Sequence, residues 1–259
     1  MKIACVQMNT VLADPDRNFD RACRLIRQAA ARHAPDVIVL PEMWNLGFFP
    51  REGLAELADR DGQRTRQVLG GLAAELGVNL VAGSVAEVRD GRVYNTAHVF
   101  DRAGQCVYRY DKTHLFSPAG EPEFFTAGER YGVFRLDGVP CGLILCYDLR
   151  FPELTRSLRL EGADVLFIPA QWPAARLTHL ETLTRARAIE NQMFAVLVNA
   201  CGACAGHSAL IDPWGDPLAA AGDGEELLAA ELRPEVLAEI RGSINVFRDR
   251  RPELYRLDG

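Results

Sequence analysis

The stretch GLILCYDLRFPEL, residues 142–154, joins a predicted buried strand to a predicted helix. The apolar run at residues 143–145 is typical of a buried strand, and Pro152 is typical of the first turn of a helix. Cys146 lies between them, at the predicted end of the strand. A cysteine there is most often an apolar filler, but a strand end that precedes a helix is also a frequent position for a nucleophile.

The composition of the chain is that of an ordinary globular protein. It has 259 residues, of which 48% are hydrophobic and 25% are charged, which is enough for one large core. The net charge of -6 argues against nucleic acid as a partner. No apolar run approaches the ~20 residues that span a bilayer, and the first residues lack the apolar region of a signal peptide. We therefore expect a cytoplasmic protein, without a nucleic-acid or membrane partner, whose seven cysteines are reduced.

Short apolar strands and helical patterns interleave along the chain. Helices are predicted at residues 19–33, 63–76, 152–161 and 177–192, and strands between residues 81 and 110 follow one another through short turns. Several strands are apolar on both faces, which predicts sheets covered on both sides. With no internal boundary visible, we predict a single α/β or α+β domain over residues 1–259, with layered sheets and helices outside.

Three predicted strands end in reactive groups. Glu42 follows the apolar residues 37–40, Lys112 follows a strand with alternating aromatic residues, and Cys146 ends its own strand. Because strand ends in layered α/β sheets commonly converge on one crevice, these groups form a coherent set. Glu42 can take the thiol proton if burial raises its pKa, and Lys112 with the backbone N–H of Tyr147 can stabilise an oxyanion. The set predicts acyl transfer through a thioester, followed by hydrolysis.

Other residues offer alternative chemistry. The stretch CGACAGH contains Cys201, Cys204 and His207, which can form a redox pair or half of a zinc site, although a second pair of zinc ligands is not obvious. A Cys–His dyad is a further option, but a hydrogen-bonding or surface role is the commoner one for each of the five histidines, His33, His98, His114, His179 and His207.

Three stretches, in the order LPEMW, YDKTHLF and LCYDLRFPE, resemble the Glu, Lys and Cys motifs of the nitrilase superfamily of carbon–nitrogen hydrolases. Support extends along nearly the whole chain, from KIACVQMN through RARAIENQMFAVLVN and GHSALIDPWGDPLA to FRDRRPELY. The resemblance implies a four-layer αββα sandwich of the α/β class, pairing of two subunits into a homodimer or a higher homo-oligomer, and no metal or organic cofactor. It makes Glu42 the general base, Lys112 the oxyanion-stabilising cation and Cys146 the nucleophile.

The resemblance also implies a second glutamate that holds the lysine in place. The stretch SPAGEPEFFTAGE offers two candidates for it, Glu121 and Glu123. Glu121 fits the position of the family motif better, and Glu123 is the alternative.

Within the superfamily, the stretches CYDLRFPEL and WPAARLTHLETLTRARAIENQ are most similar to the omega-amidase-like group. Those enzymes hydrolyse the terminal amide of 2-oxo acids such as 2-oxoglutaramate. The resemblance implies that Arg176 binds the substrate carboxylate, with Tyr147 and Trp172 also in the binding site. Two departures, Leu180 where relatives often have tryptophan and a short NACGACAGHS loop, are expected in the pocket wall.

Several alternative functions therefore stay open on the sequence. An N-carbamoyl amide hydrolase, a deaminated glutathione amidase and a nitrilase share the same chemistry at Cys146. A catalytically silent binding or scaffold protein is the alternative of another class.

Overall fold

The structure, a computed structural model, describes residues 1–256, so residues 257–259 of the predicted domain lie outside the described part. Within it there are two β-sheets. The first sheet contains β1 (Lys2–Gln7), β2 (Val37–Val39), β3 (Asp59–Arg60), β4 (Asn79–Arg89), β5 (Arg92–Phe100), β6 (Cys106–Asp111) and β13 (Glu226–Glu231). The second contains β7 (Phe134–Leu136), β8 (Val139–Leu143), β9 (Val165–Ala170), β10 (Phe194–Asn199), β11 (Ala209–Ile211) and β12 (Pro217–Ala220).

Each sheet has a parallel centre and antiparallel edges. The first sheet runs in the order β13-β1-β2-β4-β5-β6, with β3 paired to the end of β4. Strands β1, β2 and β4 are parallel, and β4, β5 and β6 form the antiparallel succession predicted from the short turns. The second sheet runs in the order β12-β11-β10-β9-β8-β7, with β8, β9 and β10 parallel. Parallel neighbours require crossover connections, and these place helices on the outer faces.

The four predicted helical regions are all present. The helices are α1 (Pro15–His33), α2 (Leu54–Leu57), α3 (Gln63–Thr65), α4 (Gly71–Leu76), α5 (Pro152–Leu160), α6 (Leu177–Asn191) and α7 (Pro234–Ser243), and the π-helical segment Arg66–Gly70 joins α3 to α4. Helix α1 begins at Pro15 rather than Phe19, because the side chain of Asp14 accepts a hydrogen bond of 3.0 Å from the Arg17 N–H. Proline at the first helical position completes this start signal.

The two sheets pack face to face around one core. Ile3 and Val39 of the first sheet lie in the same buried cluster as Leu143 and Phe167 of the second. A second cluster joins α1 and α4 to the outer face of the first sheet, and a third joins α5 and α6 to the outer face of the second. The layers are therefore α-β-β-α, which confirms the predicted fold class. In this arrangement, the ends of β2, β6 and β8 lie close to one another.

The sequence did not predict the strands β12 and β13 or helix α7. Strand β13 pairs antiparallel with β1 along its whole length and forms one edge of the first sheet. Only Leu228 of its six residues is fully buried, so the alternation that identifies a strand is weak. Within residues 1–256, no helix combines the length and the apolar character that a bilayer crossing requires.

Candidate active site

The three reactive strand ends meet at one edge between the two sheets. Lys112 Nζ donates a hydrogen bond of 2.9 Å to Glu42 Oε1 and another of 2.9 Å to Glu121 Oε2. None of these three side chains is more than 2% exposed. Glu123, the alternative second glutamate, is exposed, so the structure places Glu121 beside the lysine. Two buried carboxylates therefore hold one buried ammonium in a fixed position.

The Lys112 ammonium is the charged centre of this cluster. Burial alone would lower the pKa of Lys112, but Glu42, Cys146 and Glu121 outweigh burial and raise it above the usual lysine range. Lys112 therefore stays protonated, which is the state in which an ammonium can donate hydrogen bonds to an oxyanion. Burial and, to a smaller extent, Glu121 raise the pKa of Glu42, while Lys112 opposes them. A carboxylate with a raised pKa is a stronger base than an exposed glutamate.

The thiol of Cys146 is neutral at rest. Burial raises its pKa well above the usual thiol value, and the charge of Glu42 adds to this effect. Lys112 and a backbone hydrogen bond from Gln171 lower the pKa in part only. For this sulfur to act as a nucleophile, a base has to take its proton during the attack, because the thiolate is the reactive form.

Glu42 has one oxygen available for this proton. Its Oε1 accepts from Lys112 and, at 2.9 Å, from Asn95 Nδ2. Its Oε2 has no hydrogen-bond partner among the described residues, although it is buried. The backbone carbonyl of Glu42 accepts a hydrogen bond of 2.6 Å from Gln171 Nε2. The carboxylate is therefore held through Oε1 and, within the described part of the chain, has Oε2 free, and it lies near enough to the Cys146 thiol to raise the pKa of that thiol.

Cys146 begins a tight turn after the strand rather than ending it. Strand β8 stops at Leu143, and residues Cys146–Arg150 form a 3-10 turn. Cys146 has a φ of +46°, in the left-handed region that costs a non-glycine residue roughly 1–2 kcal/mol. Asp148 supports this conformation, since its carboxylate accepts from the backbone N–H groups of Leu145 and His114, both at 2.9 Å. The strained turn presents the thiol to a cavity.

The cavity next to Cys146 has a volume of about 410 Å³. Its wall contains the three predicted substrate-binding residues, Tyr147, Trp172 and Arg176, together with Arg150. The guanidinium of Arg150 lies 4.6 Å from the ring centre of Trp172. The remaining wall residues are Thr10, Leu12, Gly47, Phe48, Phe116, Gln171, Pro173, Ala203 and Cys204. The wall is thus mostly apolar and aromatic, with two cationic side chains and no acidic one among these residues.

One of the two predicted changes in the pocket wall is wrong. Leu180 is completely buried in the apolar cluster between α6 and the second sheet, and it is not among the residues of the cavity wall. The short loop does reach the cavity, through Ala203 and Cys204. His207 is engaged elsewhere, with Asp223 at 2.7 Å. Among residues 1–256, no three His, Cys, Asp or Glu side chains are grouped as metal ligands would be.

Several residues of the site are not identified by the sequence. Asn95 bridges the two glutamates, with its Nδ2 at 2.9 Å from Glu42 Oε1 and 3.4 Å from Glu121 Oε1. Gln171 holds the backbone of Glu42. Gln171 directly precedes Trp172 and carries no local signal. For Asn95, an amide in the middle of a strand pattern is the one feature that could have indicated a buried polar contact.

Comparisons with known proteins agree with this geometry. The sequence profile of the Carbon-nitrogen hydrolase family matches residues 2–242. The chain is 43% identical to 2-oxoglutaramate amidase of Bacillus subtilis (strain 168) over 258 residues, which cover 98% of each chain. It is 32% identical to Omega-amidase NIT2 of Homo sapiens, with coverage of 99% of this chain and 97% of the relative.

The fold has close counterparts among solved structures. Saccharomyces cerevisiae Nit3, a member of branch 10 of the nitrilase superfamily, superposes with a TM-score of 0.90 at 29% identity. The superposition covers 97% of this chain and 96% of that one. With the family profile, the amidase relatives and the fold in agreement, this chain belongs to the carbon–nitrogen hydrolases of the nitrilase superfamily.

Proposed function

We propose that this carbon–nitrogen hydrolase is an omega-amidase that hydrolyses the terminal amide of a small 2-oxo acid, such as 2-oxoglutaramate, to the acid and ammonia. The central observation is that Arg150 and Arg176 lie in the wall of the cavity that Cys146 lines, without an acidic side chain among the wall residues. Guanidinium groups suit a carboxylate because they can bind both of its oxygens. The relative named 2-oxoglutaramate amidase supports this choice of substrate.

The chemistry starts with proton transfer inside the buried cluster. As the sulfur of Cys146 attacks the amide carbon, the thiol proton passes to Glu42 Oε2, which has no other partner among the described residues. The C–S bond forms, and the carbonyl oxygen becomes an oxyanion. Lys112 Nζ and the backbone N–H of Tyr147 stabilise that oxyanion, and each donor contributes roughly 3 kcal/mol.

Collapse of the intermediate releases ammonia. Glu42 gives its proton to the nitrogen, the C–N bond breaks, and a thioester with Cys146 remains. A water molecule then attacks the thioester while Glu42 takes one of its protons. The C–S bond breaks, the proton returns to the sulfur, and the acid leaves. Glu121 keeps Lys112 in place throughout, at 2.9 Å. The scheme needs no metal or organic cofactor.

The first experiment compares ammonia release from 2-oxoglutaramate by the wild type and by Cys146→Ala. We expect rapid release by the wild type and a loss of about a thousandfold or more in the variant. Undiminished turnover by Cys146→Ala would exclude the thioester scheme. Absence of release by the wild type would exclude the substrate and leave the amidase chemistry, and an N-carbamoyl substrate would then be recognised by carbon dioxide released together with ammonia.

We also propose that residues 1–259 form one domain that pairs into a homodimer. A groove between α5, α6 and the C-terminal segment is lined by Leu160 and Tyr255, and each of these side chains is 51% exposed. Exposed apolar side chains that line one groove are typical of an interface. Sedimentation velocity should show a dimer for the wild type and a monomer for the double variant Leu160→Asp, Tyr255→Asp. An unchanged dimer in that variant would place the interface elsewhere.

A cytoplasmic location completes the proposal. All seven cysteines are free thiols, including the half-buried Cys23 and Cys204. Reduced thiols in this number are typical of a reducing compartment. Fractionation of the cells that make the protein, followed by an amidase assay of each fraction, tests the location.

A further inference from the structure

A second cluster of titratable side chains lies outside the cavity of Cys146. Glu87 on β4, His98 on β5 and Cys106 on β6 occupy three consecutive strands of the first sheet. His98 alternates with Ala97 and Val99, which face the core between the sheets, so its ring lies on the outer face. The cluster is therefore on the opposite side of the sheet from the core that the two sheets share.

The contacts run in series from the acid to the thiol. His98 Nε2 lies 2.7 Å from Glu87 Oε2, and His98 Nδ1 lies 3.9 Å from Cys106 Sγ. A carboxylate can only accept a hydrogen bond, so the ring proton belongs on Nε2. The lone pair of Nδ1 then faces the sulfur, which also lies 3.5 Å from the carbonyl oxygen of Tyr108. This is the order of groups that activates a cysteine: an acid that orients an imidazole, and an imidazole that takes the thiol proton.

The acid and the imidazole are buried, whereas the thiol is open to solvent. Glu87 is 0% exposed and His98 is 1% exposed. Gly62, at a φ of +61°, packs directly on them, since a Cβ at this position would lie 2.6 Å from Glu87 Oε2 and 2.8 Å from His98 Nε2. A larger residue would push the loop away and admit water to the pair. Of the seven cysteines, all within the described residues, Cys106 is the exposed one.

The charged side chains around Glu87 and His98 balance one another. Glu87 Oε1 accepts from Arg89 at 2.5 Å and lies 3.8 Å from Arg109, and Arg89 also binds Asp111 at 2.6 Å. Two carboxylates thus face two guanidinium groups from β4 and β6. Any proton that His98 gains from the thiol is balanced by the charge left on the sulfur.

The same surroundings make His98 a better base. Burial alone would lower the pKa of His98, but the hydrogen bonds with Cys106 and Glu87 outweigh burial and raise it. Burial would raise the pKa of Glu87, yet His98 and Arg89 hold it below the usual range. Glu87 therefore stays ionised and keeps the imidazole oriented.

We propose that Cys106 is a second nucleophilic thiol of this protein, a modification site that takes small soft electrophiles, with His98 as its base and Glu87 as a positioning residue. With iodoacetamide as the electrophile, the sulfur attacks the methylene carbon, the C–S bond forms, and the C–I bond breaks. Iodide leaves with the electron pair, and the thiol proton passes to His98 Nδ1. The reaction does not depend on the amidase chemistry at Cys146.

The test is competitive labelling of the full chain with a limiting amount of iodoacetamide near neutral pH, with glutathione in the same tube. Peptide mass spectrometry measures the labelled fraction at each cysteine. We expect Cys106 to react about ten times faster than glutathione, and His98→Gln to remove most of this advantage. The half-buried Cys23 should label more slowly, since burial raises its pKa. Labelling after denaturation, when all thiols are equally accessible, provides the reference to which the labelled fraction at each cysteine is normalised.

A pH profile separates activation from simple exposure. In the wild type, labelling of Cys106 should stay fast at pH values where glutathione is labelled slowly, and His98→Gln should remove this difference. Glu87→Gln, which keeps an acceptor for His98 but removes the charge, should give an intermediate profile. If Cys106 reacts at the rate of glutathione and with the profile of a free thiol, the proposal is wrong. The comparison of Cys106 with glutathione uses the wild type alone, so it tests the proposal even if a variant fails to fold.

Discussion

The carboxylate of Asp148 accepts a hydrogen bond of 2.7 Å from the hydroxyl of Tyr110, across the boundary between the two sheets. Tyr110 lies on β6, which leads directly to Lys112, and Asp148 lies in the turn that begins with Cys146. Asp148 also accepts from the backbone N–H of His114 at 2.9 Å. Lys112 and Cys146 are therefore fixed relative to each other by one buried carboxylate, which touches neither side chain.

We predict that Asp148→Asn destabilises the protein and impairs catalysis together. The amide replaces one acceptor oxygen with a donor, which leaves buried N–H and O–H groups without a partner at a cost of about 2–4 kcal/mol. Urea unfolding should show this loss, and kcat should fall while the turn that carries Cys146 loses its position. Asp90→Asn is the control, because Asp90 is an exposed residue in a turn and asparagine tolerates its φ of +49°. Equal stability of the two variants would contradict the role given to Asp148.

The raised pKa of Glu42 predicts the acidic limb of the pH profile. A base must be ionised, so kcat/KM should rise with pH as Glu42 loses its proton, at a pH above the ordinary glutamate value of 4.5. Cys146 stays protonated in this range, because its own pKa is raised well above the usual value. Glu42→Gln should lower kcat by about 100-fold or more and abolish this limb. Glu52→Gln, at an exposed position, should leave the profile unchanged, and a limb that persists in Glu42→Gln would assign the base elsewhere.

The cationic wall predicts selectivity between charged and neutral amides. Arg176→Ala should raise KM for 2-oxoglutaramate by about 10-fold to 100-fold, since a hydrogen bond to a charged group is worth about 1.5–3 kcal/mol. KM for a neutral amide such as propionamide should stay the same, because it has no carboxylate to bind. Arg32→Ala, which removes an exposed arginine of α1, controls for net charge. Equal losses for both amides would show that Arg176 shapes the cavity and does not bind the carboxylate.

The positions of Glu42 and Lys112 could be predicted from the sequence, because the signals that indicate them lie in neighbouring residues of the chain. Glu42 and Lys112 directly follow strong apolar or aromatic strand patterns, so their positions at strand ends follow from the residues next to them in the chain. Asn95 and Gln171 could not be predicted, because their importance comes from contacts with Glu42 across 53 and 129 residues of sequence. The prediction for Leu180 is wrong for a related reason: which face of α6 meets β10 is decided by packing between layers, and a substitution alone does not reveal it.

The pair Glu121 and Glu123 offers a direct test of how the buried lysine is held. Glu121 is 2% exposed, binds Lys112 Nζ through both oxygens at 3.1 and 2.9 Å, and accepts from the Phe116 N–H. Glu123 has the same chemistry only two residues away but is exposed. The two positions therefore form a matched comparison in which burial and the contact with Lys112 are the variables.

We predict that Glu121→Gln lowers kcat by about tenfold or more, with a smaller change in KM. The amide keeps the size of the side chain but removes one of the two negative charges that hold Lys112, so the ammonium shifts towards Glu42 and away from the developing oxyanion. A stronger ion pair with Glu42 would also lower the pKa of that carboxylate, and the acidic limb of the pH profile should move to lower pH. Glu123→Gln should match the wild type in kcat, KM and pH profile. If both variants retain full activity and the same profile, Glu42 alone is sufficient to position Lys112.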